Sequence, residues 1–211
     1  MASTMIHIAV ASELNKKLNR DHYAFIIGSI APDIAKMIGD TKEKSHFLPN
    51  ENDDVPDLYK FLVKYKYNLD DDFVLGYYVH LYTDYLWFKY FIPQLYDEDS
   101  DMITKLDGSV VKCNGNMKMQ YIYNDYTNLN VKIIDEYNLD LRIFYNELPP
   151  FKNIITEIPM DRLNILLDKC SLLIENTKEH KDMIFNMDYI KQFVDLSVTL
   201  IENNLAELGI K

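Results

Sequence analysis

Hydrophobic residues along this chain recur mainly at intervals of three and four, which is the spacing of amphipathic helices. A first helix is expected from Ser3 or Thr4 to about Leu18, because Val10, Leu14 and Leu18 lie on one stripe. The same spacing predicts further helices over residues 22–28, 54–65, 70–93, 117–137, 159–175 and 187–208. We therefore predict an all-α fold, a multi-helix bundle that forms one domain over residues 1–211.

Three stretches interrupt the helical pattern. Residues 39–54 are polar and rich in turn formers, so they predict a loop. Residues 97–116 are acidic and then contain glycine and asparagine, which indicates a mobile excursion. Pro93 is expected to end or kink its helix, and the pair Pro149 and Pro150 marks a break.

Composition narrows the classes of function. The net charge is -11, from 33 acidic and 22 basic residues, so the chain is a poor candidate for binding nucleic acid. Cys113 and Cys170 match no metal-ligand spacing and predict two unrelated thiols in a reducing compartment. The sequence shows no signal peptide and no transmembrane segment, so cytoplasmic residence is the expectation.

His80 and Asp84 are the strongest chemical signal. They lie four residues apart in the apolar segment GYYVHLYTDYLWF, hence on one face of the predicted helix. Tyr77, Leu81 and Phe88 fall on or beside that face, which indicates that it points into the core. Buried polar groups need compensating partners, and these two are explained either by a hydrogen bond between them or by a shared metal ion.

Other candidate ligands have ordinary explanations when taken singly. His7 is explained as a core histidine, Asp33 as a helix cap after Pro32, and His46 as an exposed loop residue. Taken in order along the chain, however, they form a joint pattern with His80 and Asp84. The pattern consists of His7, GSIAPD ending at Asp33, SHF at His46, and GYYVHLYTD with His80 and Asp84. With this pattern the chain resembles the zinc-dependent phospholipase C family, whose helical fold is shared with fungal zinc-dependent single-strand nucleases.

The resemblance covers roughly residues 1–92 and implies a ligand set. Asp33, His46, His80 and Asp84 would bind one zinc ion, and Asp84 would bridge to a second ion that His7 also binds. Imidazole and carboxylate are expected ligands of zinc. The resemblance also implies phosphoester hydrolysis through a metal-bound hydroxide. Asp33 is the candidate general base, second to its role as a ligand.

The sequence departs from the family in its remaining ligands. Secreted members use an N-terminal tryptophan as a ligand; here the backbone of Ala2, freed by removal of Met1, is the alternative. The only histidine after His80 is His180, in a charged run, so a third metal site is not expected and the cofactor is one or two zinc ions. Asp125, in YNDYTNLN, is a candidate for metal or substrate binding, with helix-surface solvation as the alternative.

Two kinds of function follow. The first is a zinc-dependent phosphoesterase, whose substrate is a small-molecule or lipid-headgroup phosphodiester or phosphomonoester. The second is a non-catalytic, metal-stabilised helical protein that lost part of a trinuclear site. A hydrolase of the HD type ranks below both, because the sequence lacks an adjacent His-Asp pair.

Overall fold

The computed structural model describes residues 2–96, 100–175 and 181–210, without the side chains of 171–175. Within these residues the protein is mainly α-helical. The helices are α1 Thr4–Leu18, α2 His22–Gly28, α3 Ile34–Met37, α4 Lys42–Ser45, α5 Leu58–Tyr65, α6 Asp72–Leu86, α7 Ile92–Leu95, α8 Gly115–Tyr137, α9 Leu163–Glu175 and α10 Met187–Glu207. The mainly helical class predicted from the hydrophobic spacing is confirmed.

Side-chain caps explain where the long helices begin. Ser3 accepts a hydrogen bond from the N–H of Ile6 at the start of α1, as the sequence predicts. Asp71 caps α6 in the same way. The helix predicted over residues 54–65 begins later than expected: α5 starts at Leu58, and the side chain of Asp57 caps it by accepting from the N–H of Lys60.

Two stretches predicted as irregular contain short regular elements. The predicted loop 39–54 includes α4. The predicted excursion 97–116 includes strands β1 Met102–Thr104 and β2 Val110–Lys112, which pair antiparallel. Each strand spans three residues, too few to show an alternating pattern. Residues 97–99, where this excursion was expected to begin, lie outside the described residues.

Pro93 does not end the helix that precedes it. A π-helical turn, Trp87–Phe91, follows α6, and Pro93 lies in the first turn of α7, where its missing N–H costs little. π-turns are frequent near functional sites. Here the turn follows directly on the helix that carries His80 and Asp84.

Helices α2 and α6 pack backbone against backbone at two glycines. A Cβ atom on Gly28 would lie 2.2 Å from the carbonyl oxygen of Phe73, and one on Gly76 would lie 2.1 Å from that of Phe25. No other residue fits at either position without a shift of the backbone. This contact brings the end of α2 next to the first half of α6.

One continuous cluster of buried hydrophobic residues extends from Ala2 to Leu205. It contains residues from α1, α2, α5, α6, α8, α9 and α10. Among the described residues, no helix is both long and apolar enough to cross a membrane.

Candidate metal centre

Helix α6 supplies two of the polar side chains at the centre of the fold. His80 and Asp84 lie one turn apart and are 0% and 1% exposed. The neighbours Tyr77, Val79 and Leu81 are also fully buried, so α6 is covered on most of its circumference. The prediction that this face points into the core is confirmed.

The orientation of His80 is set from α2. Its Nδ1 lies 2.8 Å from the carbonyl oxygen of Ser29, the residue that follows Gly28. A carbonyl only accepts, so Nδ1 carries the proton and the neutral ring has a free lone pair at Nε2. The close glycine contact between α2 and α6 therefore fixes which nitrogen of His80 is available as a ligand.

His46 reaches the same centre from the end of α4. The next residue, Phe47, has φ of 52°, a left-handed conformation that is strained for a bulky side chain. The Tyr77 hydroxyl donates to the carbonyl of Ser45, which anchors this turn to α6. The Ser45 hydroxyl lies 2.9 Å from Nδ1 of His46, which leaves Nε2 directed at the centre.

A first group of donor atoms comes from Asp33, His46 and His80. Nε2 of His46 lies 3.3 Å from Nε2 of His80 and 3.4 Å from Oδ1 of Asp33. Oδ2 of Asp84 lies 3.6 Å from Nε2 of His80 and 3.7 Å from that of His46. Ligand bonds of about 2.0–2.2 Å in a tetrahedral zinc site place neighbouring ligand atoms about 3.3–3.6 Å apart, so these spacings suit one ion.

A second group comes from His7, His80 and Asp84. Nε2 of His7 lies 3.3 Å from Oδ1 of Asp84, and the ring of His7 stacks on that of His80 at 3.8 Å. The N–H of Ala2 donates to the same Oδ1 at 2.9 Å. The two oxygens of Asp84 thus face different donors: Oδ1 faces His7, and Oδ2 faces His46 and His80.

Burial and mutual contact shift the pKa values of the cluster. Burial lowers the pKa values of His7 and His46, which favours the neutral form that binds metal. For Asp33, burial opposes ionisation, but the close contact with His46 and the nearby ring of His80 lower its pKa to about 2. At His80, burial is outweighed by Asp84 and Asp33, which raise the pKa of the ring. Both carboxylates are therefore ready to act as anionic ligands.

Several polar atoms of the cluster lack a hydrogen-bond partner among the described residues. They are both ring nitrogens of His7, Oδ1 of Asp33 and Oδ2 of Asp84. A buried polar atom without a partner is costly, and most proteins avoid it. Atoms of this kind, directed at one another in a set of imidazoles and carboxylates, fit a bound cation.

Comparison of the chain with protein-family models, with curated proteins and with solved structures gives no match. The case for a metal centre consequently rests on the cluster itself. Among the described residues, both groups of side chains that could hold a metal ion include His80.

The structure brings all five predicted ligands together, but it places Asp125 in a different setting. The carboxylate of Asp125 accepts the N–H groups of Met183, Ile184 and Phe185 at 2.7, 2.7 and 3.1 Å. It is 0% exposed, so the alternative of helix-surface solvation is wrong. We assign Asp125 to holding this segment rather than to a substrate. His180 lies outside the described residues.

The sequence interpretation missed the residues that orient the ligands. No local pattern marks Ser29 and Tyr77, because each contacts a residue distant along the chain. Ser45 contacts the adjacent His46, but nothing in the local sequence indicates that its hydroxyl orients the ring. Gly76 is the first residue of the segment GYYVHLYTD, but that segment alone does not indicate its contact with α2. A glycine in the middle of an apolar helix is the available signal, since it indicates a close approach of two backbones.

Proposed function

We propose that this protein is a metal-dependent phosphoesterase that uses zinc. The observation that supports it best is the position of Asp84, whose two oxygens face two different groups of donors. A carboxylate in this position is suited to join two ions a few ångströms apart. Two-metal sites of this kind are common in enzymes that cleave phosphoesters.

The residues would hold the ions as follows. Asp33, His46, His80 and Asp84 would hold one, and His7 with Asp84 the other. Zinc supplies Lewis-acid activation of a phosphoryl group and makes a water molecule acidic enough to attack at neutral pH. Asp33 fits a ligand better than a base, because its Oδ1 lies 3.4 Å from Nε2 of His46 and 3.9 Å from that of His80, among the other donor atoms.

The proposed substrate is a small-molecule or lipid-headgroup phosphodiester or phosphomonoester, and the proposed fold type is that of the zinc-dependent phospholipase C family. Both the substrate and the fold type are proposed from the resemblance to that family, which rests on the five predicted ligands. The net charge of -11 supports a substrate other than nucleic acid, and we propose that the protein acts in the cytoplasm.

Burial of the cluster favours a second candidate, a structural metal centre. His7, Asp33, His46, His80 and Asp84 are each at most 3% exposed. Catalytic zinc sites keep a position open for water or substrate, whereas structural sites are closed. In this reading the ions stabilise the bundle and the protein hydrolyses nothing.

A hydrolysis assay separates the two candidates. Zinc-loaded protein is tested on p-nitrophenyl phosphate and bis-p-nitrophenyl phosphate, together with His80→Ala and with His22→Ala, an exposed histidine outside the cluster. A phosphoesterase hydrolyses at least one substrate, and His80→Ala abolishes that activity while His22→Ala retains it. If wild type is inactive but unfolds at a lower temperature after chelation, the structural candidate holds.

A further inference from the structure

An open groove of about 630 Å³ lies between the loop before α5, α6 and the end of α10. It shares no residue with the metal centre. Its lining combines prolines and aliphatic side chains with aspartates and tyrosines: Pro49, Asp53, Asp54, Val55, Pro56, Asp57, Leu58, Tyr59, Leu62, Tyr78, Tyr82, Tyr85 and Asn204. Its volume is that of a site for a small organic molecule.

The charge of the groove is negative. The described residues that line it include three aspartates and no lysine, arginine or histidine. Each aspartate has one oxygen in a local contact: Asp53 accepts from Asn50, Asp57 caps α5, and Oδ1 of Asp54 lies 3.9 Å from Nζ of Lys42. The carboxylates therefore present a concentration of negative charge that attracts cations.

Tyrosine rings form another part of the lining. Tyr78 and Tyr82 meet edge to face at 6.0 Å, and Tyr82 and Tyr85 do so at 5.8 Å. Tyr59, on α5, is 76% exposed. The face of an aromatic ring attracts a cation, and Tyr85 already shows this, since Nζ of Lys89 lies 4.7 Å from its centroid.

We propose that this groove binds an aliphatic oligoamine, a cation with several ammonium groups joined by methylene segments. The ammonium groups would meet Asp53, Asp54 and Asp57 together with the exposed ring of Tyr59. The methylene segments would lie on Val55, Leu58 and Leu62, as the amphipathic side chain of lysine does on protein surfaces. A divalent metal ion fits the groove less well than an oligoamine, because it would bind the carboxylates but make no contact with the aromatic and aliphatic lining.

Calorimetric titration with spermidine tests this proposal. Asp57→Asn retains a capping residue while it removes a charge, and Asp54→Asn removes a charge from an exposed side chain. Each is expected to weaken spermidine binding about fivefold, and Tyr59→Leu about threefold, as the loss of one ion pair or one cation–π contact requires. The matched controls are Glu147→Gln, an exposed acid outside the groove, and Tyr67→Leu, whose ring is 95% exposed.

Four outcomes of these titrations would contradict the proposal. Absence of saturable spermidine binding overturns the proposal, as does equal weakening by Glu147→Gln, which would show attraction by net charge alone. Displacement of spermidine by an equal concentration of Mg²⁺ shows an unspecific acidic patch. Equally tight binding of the uncharged 1,8-octanediol shows an apolar groove without preference for cations. Thermal unfolding of each variant verifies that it is folded.

Discussion

The carboxylates of Asp84 and Asp125 are both buried, yet their surroundings differ. Asp125 has its oxygens occupied by three backbone N–H groups from residues 183–185. Asp84 accepts one N–H, from Ala2, while its Oδ2 has no hydrogen-bond partner among the described residues and faces two imidazoles. Burial of a carboxylate does not by itself mark a functional site, whereas burial without donors, beside metal-ligating side chains, indicates a missing cation.

The pKa values of the two aspartates reflect the same difference. Burial raises the pKa of Asp125, and its three N–H donors only partly offset that effect. For Asp84 burial opposes ionisation, but the positive charge of the N-terminal amine and the contacts with His7 and His80 outweigh it and hold the pKa well below its usual value. The environment of Asp84 is therefore arranged for an anion in a way that the environment of Asp125 is not.

Removing His80 is expected to have the largest effect on the metal centre, because His80 belongs to both donor groups. We expect His80→Ala to weaken zinc binding by a factor of about 100 or more. Competition with a zinc chelator measures the affinity, with His22→Ala as the control. Unchanged zinc affinity in His80→Ala would show that the ion binds elsewhere.

Gly76→Ala tests the backbone contact that orients His80. The added methyl group would lie 2.1 Å from the carbonyl oxygen of Phe25, so α2 and α6 must separate. We expect the free energy of unfolding to fall by about 2–3 kcal/mol. In Gly115→Ala, nothing lies within 4 Å of the new methyl group, so denaturant unfolding should show little change. Equal effects of the two substitutions would contradict the role assigned to the contact.

Asparagine substitutions at Asp84 and Asp125 sharpen the comparison between them. In Asp125→Asn an amide group replaces an acceptor oxygen beside N–H donors, so we expect a loss of about 1–3 kcal/mol of stability with or without zinc. In Asp84→Asn we expect zinc stoichiometry to fall, because an amide is a poor bridging ligand. Thermal unfolding with and without chelator measures the first effect, and elemental analysis of zinc measures the second. A chelator-dependent defect in Asp125→Asn would contradict the assignment.

Ser45→Ala is expected to have the smallest effect. It removes the hydroxyl that lies beside Nδ1 of His46 but retains the ligand itself. Loss of such a supporting contact weakens metal affinity about tenfold. Ser109→Ala, on the exposed hairpin, serves as the control in the same chelator competition. If Ser45→Ala binds zinc as tightly as wild type, the hydroxyl does not orient His46.

Local patterns predicted much of this architecture. The cap at Ser3 and the apolar setting of His80 and Asp84 depend on residues close in sequence, and both appear in the structure. The partners of Asp125 lie 58 to 60 residues away and carry no side-chain signal, since they donate through the backbone. The strands β1 and β2 and the π-turn after α6 were missed because each is too short to show its own periodicity.

The prediction of the candidate ligands from the sequence has a similar limit, because it also depends on contacts between distant residues. His7, Asp33 and His46 each had an ordinary explanation in isolation, and only their order along the chain suggested a common site. Their convergence depends on the left-handed turn at Phe47 and on the packing of α2 against α6. Neither feature follows from the residues taken singly, because both depend on tertiary contacts.

The most direct test of the account is the metal content of the protein purified without added zinc. Elemental analysis should give about two zinc ions per chain, one for each donor group of the cluster. One ion would support the first group alone, with Asp84 as a terminal ligand. A chain that contains no metal, and that takes up none when zinc is supplied, would contradict the metal centre itself.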